Sequence, residues 1–319
     1  MRFPILTTAL AVLSTSSTLV AGRTYLFAFG DSYSKTLWDP TGAVPTEQNP
    51  IGNPALPGST SAGGMNWVGF MVTKFNTTSV FLYNFARGGA VVDKTLITNP
   101  VFYPTETLDF VHQVQLFNDT LTKHPTKPTW APWTGQNAIA AIWIGGNDIR
   151  NTWTILDMPN RHKRMITRYM EQVENLYTLG VRKFIFLTTA PTYLTPLQQK
   201  LTAAKYNRLI SAVTNFNTQL LASVAAFKTS HPKATIRTVD TGPAFMTAFQ
   251  NPTDFGAATA TCYNSDGKTC LWFNDYHPGY YIEELVAVDV AKAWGGSFQC
   301  KEAICSNTAS PTPVPTRTA

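Results

Sequence analysis

Five short apolar runs punctuate the chain, each closed by glycine, aspartate, threonine or a polar turn. They are Thr24–Gly30, Ser79–Phe85, Ala138–Gly145, Arg182–Thr189 and Ala234–Asp240. Their length and their content of β-branched and aromatic residues predict buried strands. Between them, apolar residues recur near helical spacing. Met65–Phe75 carries Trp67, Val68, Met71 and Phe75 in that register, and Thr107–Leu121 carries a weaker stripe from Leu108 and Val111. His162–Leu179 and Thr195–Lys228 read as long helices, and Pro278–Trp294 as the helix that closes the domain. Strands alternating with helices predict one α/β domain whose parallel sheet is covered on both faces.

Two ends and one interior stretch break this pattern. Residues 1–22 run from Met1-Arg2 through a short apolar segment to Val20-Ala21-Gly22, the order of a secretory signal peptide. That segment is too short and too rich in Thr and Ser to anchor the chain in a bilayer, so no membrane anchor is expected. Residues 306–319 are a Ser/Thr/Pro-rich tail without the apolar content to pack, expected to be disordered. The folded domain is then 23–305. Inside it, Leu37–Gly64 is rich in Pro, Gly, Asn, Ser and Thr, and a loop of that length in a compact domain tends to be functional or unstructured.

Composition agrees with export. The 319 residues are 44% hydrophobic, enough for a substantial core. Net charge is +6, yet the basic residues are scattered apart from Arg161-His162-Lys163-Arg164, which reads as a solvated helix face. No nucleic-acid motif accompanies that cluster, so nucleic acid is not an expected partner. Four cysteines in an exported chain predict two local disulfides, most simply Cys262–Cys270 and Cys300–Cys305, although three pairings exist. Their spacings suit no common zinc site, so no metal is expected. Asn76-Thr77-Thr78 and Asn118-Asp119-Thr120 are glycosylation sequons, making Asn76 and Asn118 candidate acceptors.

In an open parallel sheet, ligands bind beyond the carboxyl ends of the strands. The first strand is followed by Gly30-Asp31-Ser32-Tyr33, the second by Asn84-Phe85-Ala86-Arg87-Gly88-Gly89, and the third by Gly145-Gly146-Asn147-Asp148. Ahead of the last helix stands Trp272-Phe273-Asn274-Asp275-Tyr276-His277-Pro278. Singly, each is an ordinary turn or helix cap. Together and in this order they resemble the conserved blocks of the SGNH hydrolases, also called the GDSL esterase/lipase family, from Phe27 to about Ala293. The resemblance implies a three-layer α/β/α flavodoxin-like fold with a five-stranded parallel sheet. It also implies ester hydrolysis through a serine, with no metal or cofactor.

The residue types fit that chemistry. A serine hydroxyl is a weak nucleophile until a base takes its proton, which casts Ser32 as nucleophile and His277 as base. The resemblance assigns the oxyanion donors to the backbone N–H of Ser32, the backbone N–H of Gly89 and the side-chain amide of Asn147. Gly89 is preferred to Gly88 because the family's glycine stands five places after the strand-end Asn, here Asn84. Two positions depart from the family. Tyr33 replaces the Leu of the family name. An Asp is expected three residues before the histidine, where this chain has Asn274, with Asp275 one place later. Either Asn274 orients the ring through its amide oxygen, or a shifted turn brings Asp275 to it.

Secretion, sequons and tryptophans near the strand ends point to extracellular polymers. Trp38, Trp143 and Trp272 would suit sugar rings, although buried tryptophans more often belong to a core. The whole is similar to fungal secreted acetylesterases of carbohydrate esterase family sixteen, which implies a small acetylated sugar or ester as substrate and a monomeric enzyme. A lipase or phospholipase on the same scaffold, and an inactive carbohydrate-binding protein, remain the alternatives.

Overall fold

The computed structural model describes residues 22–97, 108–122, 127–301, 303–306 and 317. The expected signal peptide therefore lies outside the described residues, apart from Gly22. So does the expected tail, apart from Ser306 and Arg317.

Each predicted strand forms, β1 (Thr24–Gly30) as expected and the others trimmed at their ends: β2 (Val80–Asn84), β3 (Ala138–Trp143), β4 (Lys183–Leu187) and β5 (Thr235–Val239). As an edge strand, β5 is mostly exposed where a buried strand was expected. They make one parallel sheet in the order β2-β1-β3-β4-β5. The helices are α1 (Trp67–Thr73), α2 (Phe110–Phe117), α3 (Gly146–Thr152), α4 (Met158–Thr178), α5 (Ala203–Ser230), α6 (Gly242–Gln250) and α7 (Tyr280–Trp294). α1 and α6 pack with α7 on one side, whereas α2, α3 and α5 pack with α4 on the other. This is the expected three-layer α/β/α architecture.

Local chemistry explains the boundaries. Asn66 caps α1 by accepting from Gly69 N–H, and Asp109 caps α2 by accepting from His112 N–H at 2.9 Å. α4 starts earlier than its periodicity suggests, because Pro159 is tolerated in a first turn. α5 starts later than Thr195, because two single 3₁₀ turns, Thr192–Leu194 and Gln198–Lys200, occupy the approach. α3 and α6 were not expected. Both are short, and α3 (GNDIRNT) has too few apolar residues to show a period.

Chain order changes direction between β1 and β3, whose partners on their outer sides are β2 and β4. That is the switch point at which an open α/β sheet leaves a crevice. The two strands approach closely at their carboxyl ends. A Cβ on Gly30 would stand 2.4 Å from the Trp143 carbonyl oxygen, so only glycine fits there. Beyond this pairing the end of β1 is held by Gln113 of α2. Its Oε1 accepts from Gly30 N–H at 2.9 Å and its Nε2 donates to Gly30 O at 2.8 Å, with Gln113 wholly buried.

The tryptophans follow the commoner of the two readings given for them. Trp38, Trp143 and Trp272 are 1%, 3% and 0% exposed, and they pack in the core instead of offering open faces to sugars. The disulfides Cys262–Cys270 and Cys300–Cys305 are both formed. No described helix is long and apolar enough to cross a membrane.

Gln113→Leu should orphan the buried Gly30 N–H and lower unfolding free energy by about 2–3 kcal/mol. Urea denaturation measures this, and an unchanged midpoint would contradict the clamp.

Candidate active site

Ser32 lies just past β1 in a turn fixed from several directions. The N–H groups of Ser34 and Lys35 donate to Asp31 O at 3.1 and 3.0 Å, and Tyr33 N–H donates to Asp31 Oδ1 at 3.0 Å. Asn84, at the end of β2, donates through Nδ2 to Ser34 O at 2.7 Å. Trp67 of α1 donates through its indole to Ser34 Oγ at 2.9 Å. The motif residues of the first two blocks therefore bind each other.

The third block holds the second in the same way. Asp148 accepts Val92 N–H on both carboxyl oxygens at 3.1 Å, and Asn147 Nδ2 donates to Ala90 O at 3.0 Å. The loop carrying Gly89 is thus tied to the N-terminal turn of α3. Gly89 has φ +77°, a conformation that glycine adopts without strain. Among the described residues, neither Ser32 N–H nor Gly89 N–H has an acceptor, and Gly89 directly precedes Ala90, whose carbonyl Asn147 holds. Asn147 has two amide hydrogens and Ala90 engages one.

His277 completes the arrangement. Its Nε2 lies 2.8 Å from Ser32 Oγ, across 245 residues of sequence, and its Nδ1 lies 2.9 Å from Asn274 Oδ1. That same Oδ1 accepts Tyr276 N–H at 2.9 Å and His277 N–H at 2.8 Å. Two backbone donors fix the atom as the amide oxygen, so Nδ1 carries the proton and Nε2 turns its lone pair to the serine hydroxyl. The structure brings together Ser32, Gly89, Asn147, Asn274 and His277. It does not bring Asp275. The Asp275 carboxylate bonds to no described residue, whereas its backbone oxygen accepts Leu197 N–H at 2.8 Å. Three-residue spacing lets Asn274 fold back over the turn and take the ring's Nδ1.

A family model described as GDSL-like Lipase/Acylhydrolase matches residues 26–287. The chain belongs to that family, and it is an ester hydrolase. It is similar to an acetylesterase from Thermothelomyces thermophilus, 45% identical over 303 residues, covering 92% of this chain and 98% of that protein. A second acetylesterase, from Hypocrea jecorina, is 22% identical over 320 residues and covers 82% and 86% of the two chains. Among solved structures, a variant of an acetyl xylan esterase from Geobacillus stearothermophilus matches with TM-score 0.47 and 13% identity, over 88% of this chain and 97% of that one.

Two residues of this GDSL hydrolase escaped the motif reading. Tyr33, where the family name has Leu, donates its hydroxyl to Tyr276 O at 2.7 Å and sets its ring edge-on to His277. It binds the serine turn directly to the histidine loop. Gln113 lies in no block and off the stripe read from Leu108 and Val111, because the face that α2 buries is Phe110, Gln113, Val114 and Phe117.

The electrostatics around the imidazole favour its neutral form. Burial, with smaller contributions from Lys35 and Arg150, pushes His277 down to about 4. No carboxylate opposes them at Nδ1. Burial also raises Asp31 and Asp148 to about 7, against the N–H groups of Tyr33 and Val92 that favour their charged forms. Buried Glu283, which accepts Trp67 N–H at 3.0 Å, is raised as well.

A base with a depressed pKa stays neutral to lower pH. Because the unfolded imidazole titrates near 6.5, this ring contributes stability above that pH and loses it as pH falls towards about 4. NMR titration should find His277 still neutral at about pH 5. Asn274→Asp adds a carboxylate at Nδ1 and should raise the value by roughly 1–3 units. The acid limb of kcat/KM then moves to higher pH. A folded variant whose acid limb stays in place would contradict the assignment of Asn274 as the ring's partner.

Proposed function

We propose that the protein is a secreted serine acetylesterase that removes O-acetyl groups from small carbohydrates such as xylo-oligosaccharides. The observation that carries this reading is the recess beside Ser32. Its cavity of about 10 Å³ is bounded by Trp143, Ile144, Thr189, Ala190, Thr192 and Tyr276. A space of that size takes about one water or one methyl-sized group. An acetyl group fits, whereas longer acyl chains would displace buried side chains. Similarity to two acetylesterases supports the same conclusion.

In the proposed mechanism, Ser32 Oγ attacks the ester carbonyl while His277 Nε2 takes its proton. The N–H groups of Ser32 and Gly89 and the Asn147 amide receive the developing oxyanion, each worth roughly 3 kcal/mol of barrier. Collapse breaks the acyl–oxygen bond, and His277 returns the proton to the departing sugar hydroxyl. Water, deprotonated by His277, then releases acetate and restores Ser32. Asn274 holds the tautomer throughout, without a charge to stabilise the imidazolium.

Secretion is supported by the N-terminal pattern and by two disulfides in the domain. Of the two candidate glycosylation sites, Asn76 lies in the turn after α1, whereas Asn118 continues α2 into a single π turn. A monomer acting on one small ester at a time is the form proposed.

Hydrolysis of p-nitrophenyl esters from acetate to decanoate tests the reading. Acetate should be strongly preferred, and Ser32→Ala should lower kcat by about 10⁴-fold or more. A preference for long chains would turn the assignment to a lipase. A homogeneous Ser32→Ala preparation as active as the parent would remove the serine mechanism.

A further inference from the structure

Arg317 is held by more contacts than a surface arginine needs. Its guanidinium lies 3.9 Å over the ring of Tyr206, a residue only 2% exposed. Nη1 donates to Gln199 O at 3.1 Å and to Leu201 O at 3.0 Å, and Nη2 donates to Gln199 Oε1 at 2.5 Å. Asn207 reads the backbone of the same residue. Its Oδ1 accepts Arg317 N–H at 3.1 Å and its Nδ2 donates to Arg317 O at 2.9 Å.

This is a site for a planar cation. An aromatic face and three carbonyl oxygens in one fork suit guanidinium, whereas an ammonium has neither the plane nor the spread of donors. The acceptors are neutral, so the fit rests on shape and hydrogen bonding more than on an ion pair.

The segment that accepts the guanidinium also serves the candidate active site. Residues 189–201 join β4 to the start of α5. At one end Thr189, Ala190 and Thr192 wall the recess beside Ser32, with Thr189 fastened to Asn217 by three hydrogen bonds. In the middle Leu197 N–H holds Asp275 O, two residues before His277. At the far end Gln199 and Leu201 hold Arg317, while Gln199 Nε2 reaches back to Tyr193 O at 2.9 Å. At the far end Leu197 and Leu201 pack against the core only in part, and Arg317 adds a polar tie to the carbonyls there.

We propose that Arg317, its guanidinium docked against Tyr206, Gln199 and Leu201 and its backbone held by Asn207, is a positioning residue for the hydrolysis. It keeps the 189–201 segment in the shape that closes the acyl recess and backs the His277 loop. The proposal rests on the Ser32–His277 reading, whose failure would appear separately as undiminished activity in Ser32→Ala.

The experiment compares the parent protein with Arg317→Ala and Arg317→Lys on p-nitrophenyl acetate and butyrate, with thermal unfolding alongside. Arg317→Ala should lower kcat on acetate by roughly 10-fold, since small displacements of positioned groups are costly. KM should change little, and the butyrate-to-acetate ratio should rise. Lysine should restore little of this. Methylguanidinium at low millimolar concentration should bring Arg317→Ala back towards the parent, with saturation, and leave the parent unchanged. Parental kcat and acyl ratio in Arg317→Ala would overturn the proposal. So would a loss that is equal on both esters, tracks thermal stability and resists methylguanidinium, since that marks a merely structural tie. If Arg317→Ala does not fold, Asn207→Ala, which removes only the pairing to the Arg317 backbone, is read by the same criteria.

Discussion

The contact between His277 and Ser32 is the constraint on which the site depends, because nothing local brings these residues together. One follows the first strand and the other precedes the last helix. Their 2.8 Å approach requires the whole sheet to be in register and both turns to be rigid. The molecule meets that requirement by making the motif residues hold one another. Asn84 grips the serine turn, Asp148 and Asn147 grip the loop of Gly89, and Tyr33 spans from the serine turn to the histidine loop. Positioning by such buried hydrogen bonds is costly to disturb, since each lost partner leaves a desolvated polar group behind.

Asn274 gives this site a different balance from one built around a carboxylate. An amide oxygen fixes the tautomer as well as a carboxylate does, and it accepts two backbone N–H groups besides. It adds no negative charge, however. With Lys35 and Arg150 nearby and the buried Asp31 raised to about 7, the field at the ring favours the neutral imidazole. In the proposed mechanism the developing oxyanion would be the counter-charge to the imidazolium formed beside it.

The fold and four of the site blocks were legible in the sequence because both rest on patterns that tertiary contacts reinforce. β1 to β4 are fully or largely buried, so their apolar runs stand out, whereas the edge strand β5 buries only Ile236 and Val239. The turns after β1, β2 and β3 carry glycines where backbone approach or φ demands them. The choice between Asn274 and Asp275 was not legible. Spacing states how far each lies from His277 along the chain, whereas the direction of each side chain depends on how the turn folds. Tyr33 and Gln113 were missed for a related reason. Each acts through one hydrogen-bonded connection to a distant backbone, which leaves no period and no motif. The tryptophans went to the core, as large aromatic side chains more often do, whatever their nearness to a strand end in sequence.

The 189–201 segment has a consequence for how substrate range can change in this protein. One stretch of backbone forms the wall of the acyl recess and, through Leu197, supports the loop bearing His277. A wider recess obtained by shifting that backbone would also move the base away from the serine. Divergence towards longer acyl groups is therefore confined to exchanges of side chain on an unmoved backbone, at positions such as Thr192 and Tyr276. Lengthening or relocating the loop would trade breadth of substrate against the geometry of proton transfer.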